Sequence, residues 1–180
     1  MTSSPETNGS PSTQAPAPPK AVAFVGLSNS GKTELICRLL PALAARGLKV
    51  AVLKHSHHLG LDAEEHGKDT WRYRQAGAST VALAAPGFLQ VTYSFSGEPP
   101  LELALATLGG AADLILVEGY KTGPLPKVAV LGAGAGGKAP DYPYLVALVS
   151  DQPVESPLPV FQPHQVEELG HWLYEFLSRD

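Results

Sequence analysis

The sequence predicts an α/β fold: a mostly parallel sheet with helices on both faces and a β-hairpin insertion. Three observations predict it. An apolar run, Ala21-Val22-Ala23-Phe24-Val25, leads into Gly26-Leu27-Ser28-Asn29-Ser30-Gly31-Lys32-Thr33, and a helical pattern follows at once. A second strand-like run, Lys49 to His55, comes one helix later, at the spacing of a right-handed βαβ unit in a parallel sheet. Further on, Leu114-Ile115-Leu116-Val117 is apolar at every position, as expected of a strand buried on both faces.

The stretch from Gly26 to Thr33 is a complete G-x-x-x-x-G-K-[ST] pattern with a strand before it and a helix after it. Gly26 and Gly31 permit backbone angles that a side chain forbids, so the N–H groups of Ser28, Asn29, Ser30 and their neighbours can turn inward around an anion. The following helix adds its unpaired N-terminal N–H groups and the positive end of its dipole. Lys32 would neutralise β- and γ-phosphates, and the Thr33 hydroxyl would take a Mg²⁺ position. The motif therefore reads as a nucleoside triphosphate site and the fold as P-loop NTPase-like.

Residues 1–19 are mostly Ser, Thr, Pro and Ala and cannot build a core, so they read as a disordered tail before one nucleotide-binding domain at 20–180. The first helix is expected over 33–46. Leu35, Ile36, Leu39, Leu40 and Leu43 lie on one stripe, Pro41 predicts a kink, and Gly47 predicts a left-handed stop. Residues 56–68 carry His57, His58, Asp62, Glu64, Glu65 and His66 without apolar periodicity, a polar loop leaving the carboxyl end of a strand. A short helix follows at 69–75, with Asp69 expected as its N-cap. Strands at 80–84 and 89–95 flank Pro86-Gly87 as a hairpin, and 99–108 is an amphipathic helix ended by glycines.

Two acids compete for the metal-side carboxylate of the phosphate site, Asp113 and Glu118. A strand rises about 3.3 Å per residue, so they lie roughly 16 Å apart at opposite ends of one strand. The phosphate loop leaves its own strand at the carboxyl end, which favours Glu118. Residues 127–131 are a further strand, and the Gly-rich run 132–137 reads as a mobile link. Residues 144–149 are a buried strand ending at Asp151. A last helix at 164–178 carries Val166, Leu169, Leu173, Phe176 and Leu177 on one stripe.

At 180 residues the chain can bury about two-thirds of its unfolded surface. Its net charge of −4 argues against a broad phosphate-backbone footprint, so nucleic acid is not an expected partner. The single cysteine, Cys37, suits a reducing cytoplasm, and no run reaches the roughly 18 apolar residues that span a bilayer. Zinc would need three or four ligands from more than one segment, and neither Cys37 nor any second histidine pair completes a set with His55, His57 and His58. Two readings stand for Asp62, a water-mediated metal ligand or a turn acid. Two also stand for Asp151, a turn residue or an acceptor for guanine N1 and N2, donors that adenine does not present together. Arg72 and Arg74 read as a solvated helix face in preference to a second anion site.

In these motifs the sequence resembles the molybdopterin-guanine dinucleotide biosynthesis protein B family (MobB). The resemblance runs in register over most of 20–151: GLSNSGKT at 26–33, VLKHSHH at 52–58, Asp62, GKDTWRYRQAGA at 67–78, LILVEGYK at 114–121 and PKVAV at 126–130. It implies a homodimeric GTP-binding protein with weak GTPase activity that assists a MobA-like guanylyltransferase in attaching GMP to molybdopterin. It further implies that Gly31, Lys32 and Thr33 hold phosphate and Mg²⁺, that Glu118 lies by the metal and aligns water, and that Lys54, His55, His57 and His58 line the mouth. One departure stands out. The family usually has an Arg just after the PKVAV-like strand, where this chain has Leu131-Gly132, and Lys138 lacks the planar fork to replace it. Two other classes stay open on the same scaffold: a small-molecule kinase or ligase like dethiobiotin synthetase, and an adaptor that holds GTP without hydrolysing it.

Overall fold

The computed structural model describes residues 20–56 and 67–178. The tail at 1–19 and the candidates His57, His58 and Asp62 lie outside the described residues. The elements run β1 (Lys20–Val25), α1 (Lys32–Ala44), β2 (Val50–Lys54), α2 (Asp69–Gln75), β3 (Thr80–Ala85), β4 (Phe88–Tyr93), α3 (Leu101–Gly109), β5 (Leu114–Glu118), β6 (Lys127–Val130), β7 (Gly137–Lys138), β8 (Leu145–Val149), β9 (Val154–Glu155), β10 (Val160–Phe161) and α4 (Val166–Ser178). Six strands form one sheet in the order β10-β8-β6-β1-β5-β2, every neighbouring pair parallel. The hairpin β3-β4 is antiparallel and stands apart from that sheet, as the insertion reading requires.

The alternation of each central strand explains the layering. Val22, Phe24, Leu114, Leu116, Val128 and Val130 face α1 and α4, while Ala23, Val25, Ile115, Val117, Ala129 and Leu148 face the opposite side. On the first side Leu39, Leu43, Leu169 and Leu173 are fully or almost fully buried, each contributing about 1.5–3 kcal/mol. Gly170 lets the two helices approach, since a Cβ there would already touch Ala42 Cβ at 3.5 Å. On the second side Leu105 and Leu108 of α3 and residues from the loops cover the sheet. The helix α1 continues through Pro41, which is exposed and whose carbonyl accepts from Ala45 N at 2.9 Å.

Two local expectations are corrected. The N-cap of α2 is Lys68, not Asp69, and no side chain caps it; Asp69 is the first helical residue and lies 3.7 Å from Arg72. A carboxylate already favours the positive end of a helix from that position. The β1-α1-β2 unit lies in the parallel sheet as expected, with β5 inserted between its two strands. Lastly, the Gly-rich run is more than a link. Its Ala135 N donates to Gly132 O, its Gly134 N to Asp151, its Gly137 N to Pro153 O, and it ends in β7, which pairs with β9.

Candidate functional site

The parallel order sets the site. With β1 between β6 and β5, the loop after β1 leaves the sheet at the carboxyl ends of three adjacent strands, where open α/β sheets bind ligands. The register pairs Phe24 with Glu118 and Lys54 with Glu118, so β1, β5 and β2 end side by side at the loop. Asp113 sits at the other end of β5, where its carboxylate accepts from Lys49 N at 2.8 Å. The choice of Glu118 over Asp113 thus follows from strand direction alone.

Gly26 opens the loop with φ +155°, and a Cβ there would sit 2.3 Å from Val130 O and 2.8 Å from Ser30 Oγ. No other residue fits. Asn29 (φ 59°) and Gly31 (φ 88°) carry the loop through left-handed turns into α1, where Leu35 N donates to Gly31 O at 2.9 Å. The result is a cradle of main-chain groups at a helix start. Ser30 is buried beneath it. Lys32 Nζ donates to Leu27 O at 2.6 Å and to Ser30 Oγ at 3.3 Å. Burial lowers the pKa of Lys32, Glu118 raises it, and Lys121 and Lys54 lower it further.

Thr33 Oγ1 donates to the Glu118 carboxylate, with both oxygens at 2.9 Å, and Lys54 Nζ lies 3.5 Å from Glu118 Oε1. A hydroxyl and a carboxylate sharing one point at the lip of a phosphate loop is the donor set a Mg²⁺ ion needs. That ion keeps most of its water and takes only one or two protein oxygens beside the phosphates. Among the described residues no group of three or more His, Cys, Asp and Glu side chains gathers to hold a metal by itself. The residues present fit a metal shared with a ligand.

A cavity of about 1030 Å³ spans this region, lined by the loop, Lys32, Thr33, Lys54, His55 and Glu118, with Lys121 on its wall. A second, of about 520 Å³, lies on the other side of Asn29, Ser30 and Gly31 and is lined by Arg38, Asp151 and His164 among others. There the Asp151 carboxylate accepts from Gly134 N at 3.1 and 3.2 Å. A carboxylate has about four lone-pair sites, so this bond leaves it able to accept more. His55 stands at the mouth of the first cavity, its Nε2 2.8 Å from Glu98 Oε1 and its ring 4.2 Å from that of Tyr120.

Residues 21–151 match the family described as Molybdopterin guanine dinucleotide synthesis protein B, MobB. The chain belongs to that family. It is 32% identical over 165 residues to the molybdopterin-guanine dinucleotide biosynthesis adapter protein of Haemophilus influenzae, covering 86% of this chain and 90% of the relative. The adapter protein of the same description from Escherichia coli strain K12 is 32% identical over 168 residues, covering 88% and 93%. Among solved structures, Bacillus subtilis MobB superposes with a TM-score of 0.69 at 28% identity, over 89% of this chain and 99% of that one.

After β6, where the resemblance leads one to expect an Arg, the chain has Leu131 and Gly132. Leu131 N donates to Val149 O, and Gly132 lies against the phosphate loop, where a Cβ would be 3.8 Å from Ser30 Cα. Lys138 is in β7 and lines neither cavity. Sequence reasoning passed over Lys121, Tyr120, Ser56, Arg38 and His164 as cavity residues. Lys121 could have been found, standing three residues after Glu118; Arg38 and His164 could not, since α1 and the segment before α4 meet only in the tertiary fold.

Proposed function

We propose that this protein is a Mg²⁺-dependent GTP-binding accessory protein of molybdenum cofactor biosynthesis, serving the formation of molybdopterin guanine dinucleotide and hydrolysing GTP slowly. The observation that carries the nucleotide reading is the convergence of Thr33 and Glu118 at 2.9 Å beside the glycine-built loop. The pathway rests on the relatives, whose names describe adapter proteins of that biosynthesis. In this reading main-chain N–H groups from Gly26 to Gly31, Ser28, Asn29 and Ser30 among them, wrap the phosphates, and Lys32 neutralises them. Thr33 and Glu118 hold the metal, with Asp62 as a further candidate, and the metal supplies charge neutralisation when bound. Lys54 and His55 line the mouth, and His57 and His58 join them as candidates from the resemblance. Glu118 accepts a hydrogen bond from the attacking water and orients it. Asp151 selects guanine in the adjoining cavity. Turnover is slow because the family Arg after β6 is absent. The protein acts in the cytoplasm as a homodimer, with a MobA-like guanylyltransferase as partner and molybdopterin within reach.

Thermal shift with GTP and with ATP, each with Mg²⁺, tests the ligand. At a hundred-fold excess over Kd, GTP adds about 2.7 kcal/mol, or about 5–10 °C for a chain of this size. ATP adds little, and Lys32→Ala abolishes the shift while the variant still unfolds cooperatively. An equal rise with ATP would remove the guanine assignment. Single-turnover hydrolysis then separates the two modes of action: protein-bound GTP that survives for hours leaves an adaptor, whereas slow phosphate release supports the GTPase.

A further inference from the structure

The chain does not leave the sheet straight after Glu118. Gly119 and Tyr120 both have positive φ, 110° and 52°, and Tyr120 pays a steric cost there that glycine would not. The surroundings hold the turn from several directions. Gly119 N donates to Phe24 O at 3.0 Å, Glu118 O accepts from His55 N at 2.9 Å, and Tyr120 O accepts from Gly123 N at 3.3 Å. The Tyr120 ring lies on the ring of His55, whose side chain is only 11% exposed and is tied to Glu98. A Cβ on Gly119 would come within 3.0 Å of His55 Cβ, so glycine is needed at the start of the reversal.

The turn decides where Lys121 goes. In a straight strand, residues three apart point to opposite faces, and Lys121 would face away from Glu118. The reversal instead returns it to the cavity wall shared with Lys32, Lys54 and Glu118. Three ammonium groups then line a cavity whose described lining carries two carboxylates, Glu34 and Glu118. Glu118 is already engaged by Thr33 and Lys54, and Lys121 pairs with no acid among the described residues. Lys32 bonds to the loop itself, while Lys54 and Lys121 line the cavity at Glu118 and do not line that of Asp151, so a phosphate chain running from the Asp151 cavity would end beside them.

We propose that Lys121, presented by the strained Gly119–Tyr120 turn beside Lys54, contacts the terminal phosphate and makes the site discriminate a nucleoside triphosphate from a diphosphate. This rests on the nucleotide reading above and adds a residue to it. The test is calorimetric titration of full-length wild type, Lys121→Met and Lys121→Arg with GDP and with a non-hydrolysable GTP analogue, all with Mg²⁺. Wild type binds the triphosphate analogue more tightly than GDP. Lys121→Met loses about ten-fold or more in affinity for the analogue, the size of one charge-assisted hydrogen bond, and less than about two-fold for GDP. Lys121→Arg keeps most of the discrimination. Equal losses for both nucleotides, or no loss for either, overturn the assignment of Lys121 while leaving the nucleotide site standing. Wild type that binds neither nucleotide overturns the site itself, and Lys121 with it.

Discussion

Glu118→Gln separates the two tasks proposed for the carboxylate, because Gln keeps the shape and one acceptor for Thr33 and removes the charge. In the wild type Lys54 lies 3.5 Å from Glu118 Oε1, and its side chain is 61% exposed while that of Glu118 is 13% exposed. Exposure on the lysine side calls for nearly water-like screening, which puts the pair at about 1 kcal/mol. A phosphate that recruits Lys54 must give that up; in the variant it does not, which predicts about five-fold tighter GTP binding in EDTA. With Mg²⁺ the sign reverses. The metal loses a nearly buried anionic partner, an interaction above about 1 kcal/mol, so affinity falls at least about five-fold. Titration of a fluorescent GTP analogue against both proteins, in EDTA and in Mg²⁺, measures the two effects independently. A variant whose affinity responds to Mg²⁺ by the same factor as wild type would refute the metal-side role of Glu118.

Gly26→Ala combines a glycine-favouring φ with a clash on a backbone carbonyl that cannot swing aside. It is expected to destabilise the chain by about 3 kcal/mol, seen as a melting temperature lower by about 10 °C, and to abolish nucleotide binding; an unchanged melting temperature would contradict the geometry. Lys127 is fully buried, its ammonium donating to Gly123 O at 2.5 Å and Leu125 O at 2.9 Å. Lys127→Met is therefore expected to cost about 2 kcal/mol in urea unfolding at neutral pH. Burial lowers the pKa of Lys127 below the ordinary 10.5, so the unfolded chain binds the extra proton between the two values. Wild-type stability accordingly rises relative to Lys127→Met as pH climbs through that window towards 10.5, and a gap that stays constant instead would put the ammonium in contact with water.

What was legible in the sequence is what depends on neighbours in the chain. The shape of the loop from Gly26 to Thr33 could be read because its glycines set the backbone within one turn. The placement of Glu118 beside that loop, with Asp113 at the far end of β5, could be read because strand direction converts sequence order into distance. The insertion of β5 between β1 and β2 was not legible, since parallel pairing is set by long-range packing and carries no local signal. Nor were β7, β9 and β10, each two residues long and below the length at which alternation has meaning. The Gly-rich run misled for a related reason. Its composition argues for freedom, but its order comes from Asp151 and Pro153, partners that approach only once β8 is in place.

The site divides into parts that the backbone fixes and parts that long side chains carry, and the two should fail differently. Gly26, Gly119 and the pairing of Phe24, Glu118 and Lys54 are set by register and by contacts under 3.1 Å from where a side chain would start. Altering them strains the sheet as well as the pocket. Lys32 and Lys54 instead make bonds at the rim that a phosphate can replace one for one, donor to oxygen, without moving the main chain. Substitutions in the first group should therefore lose stability and nucleotide affinity together, whereas Lys54→Ala should lose affinity at a melting temperature within about 2 °C of wild type, since exposed surface changes stay near 0.5 kcal/mol. Lys32 is half-buried, and Lys32→Ala should lose affinity with a smaller fall in melting temperature than Gly26→Ala. Lysine variants that melt as early as Gly26→Ala would mean that the ammonium groups hold the loop's shape rather than its ligand.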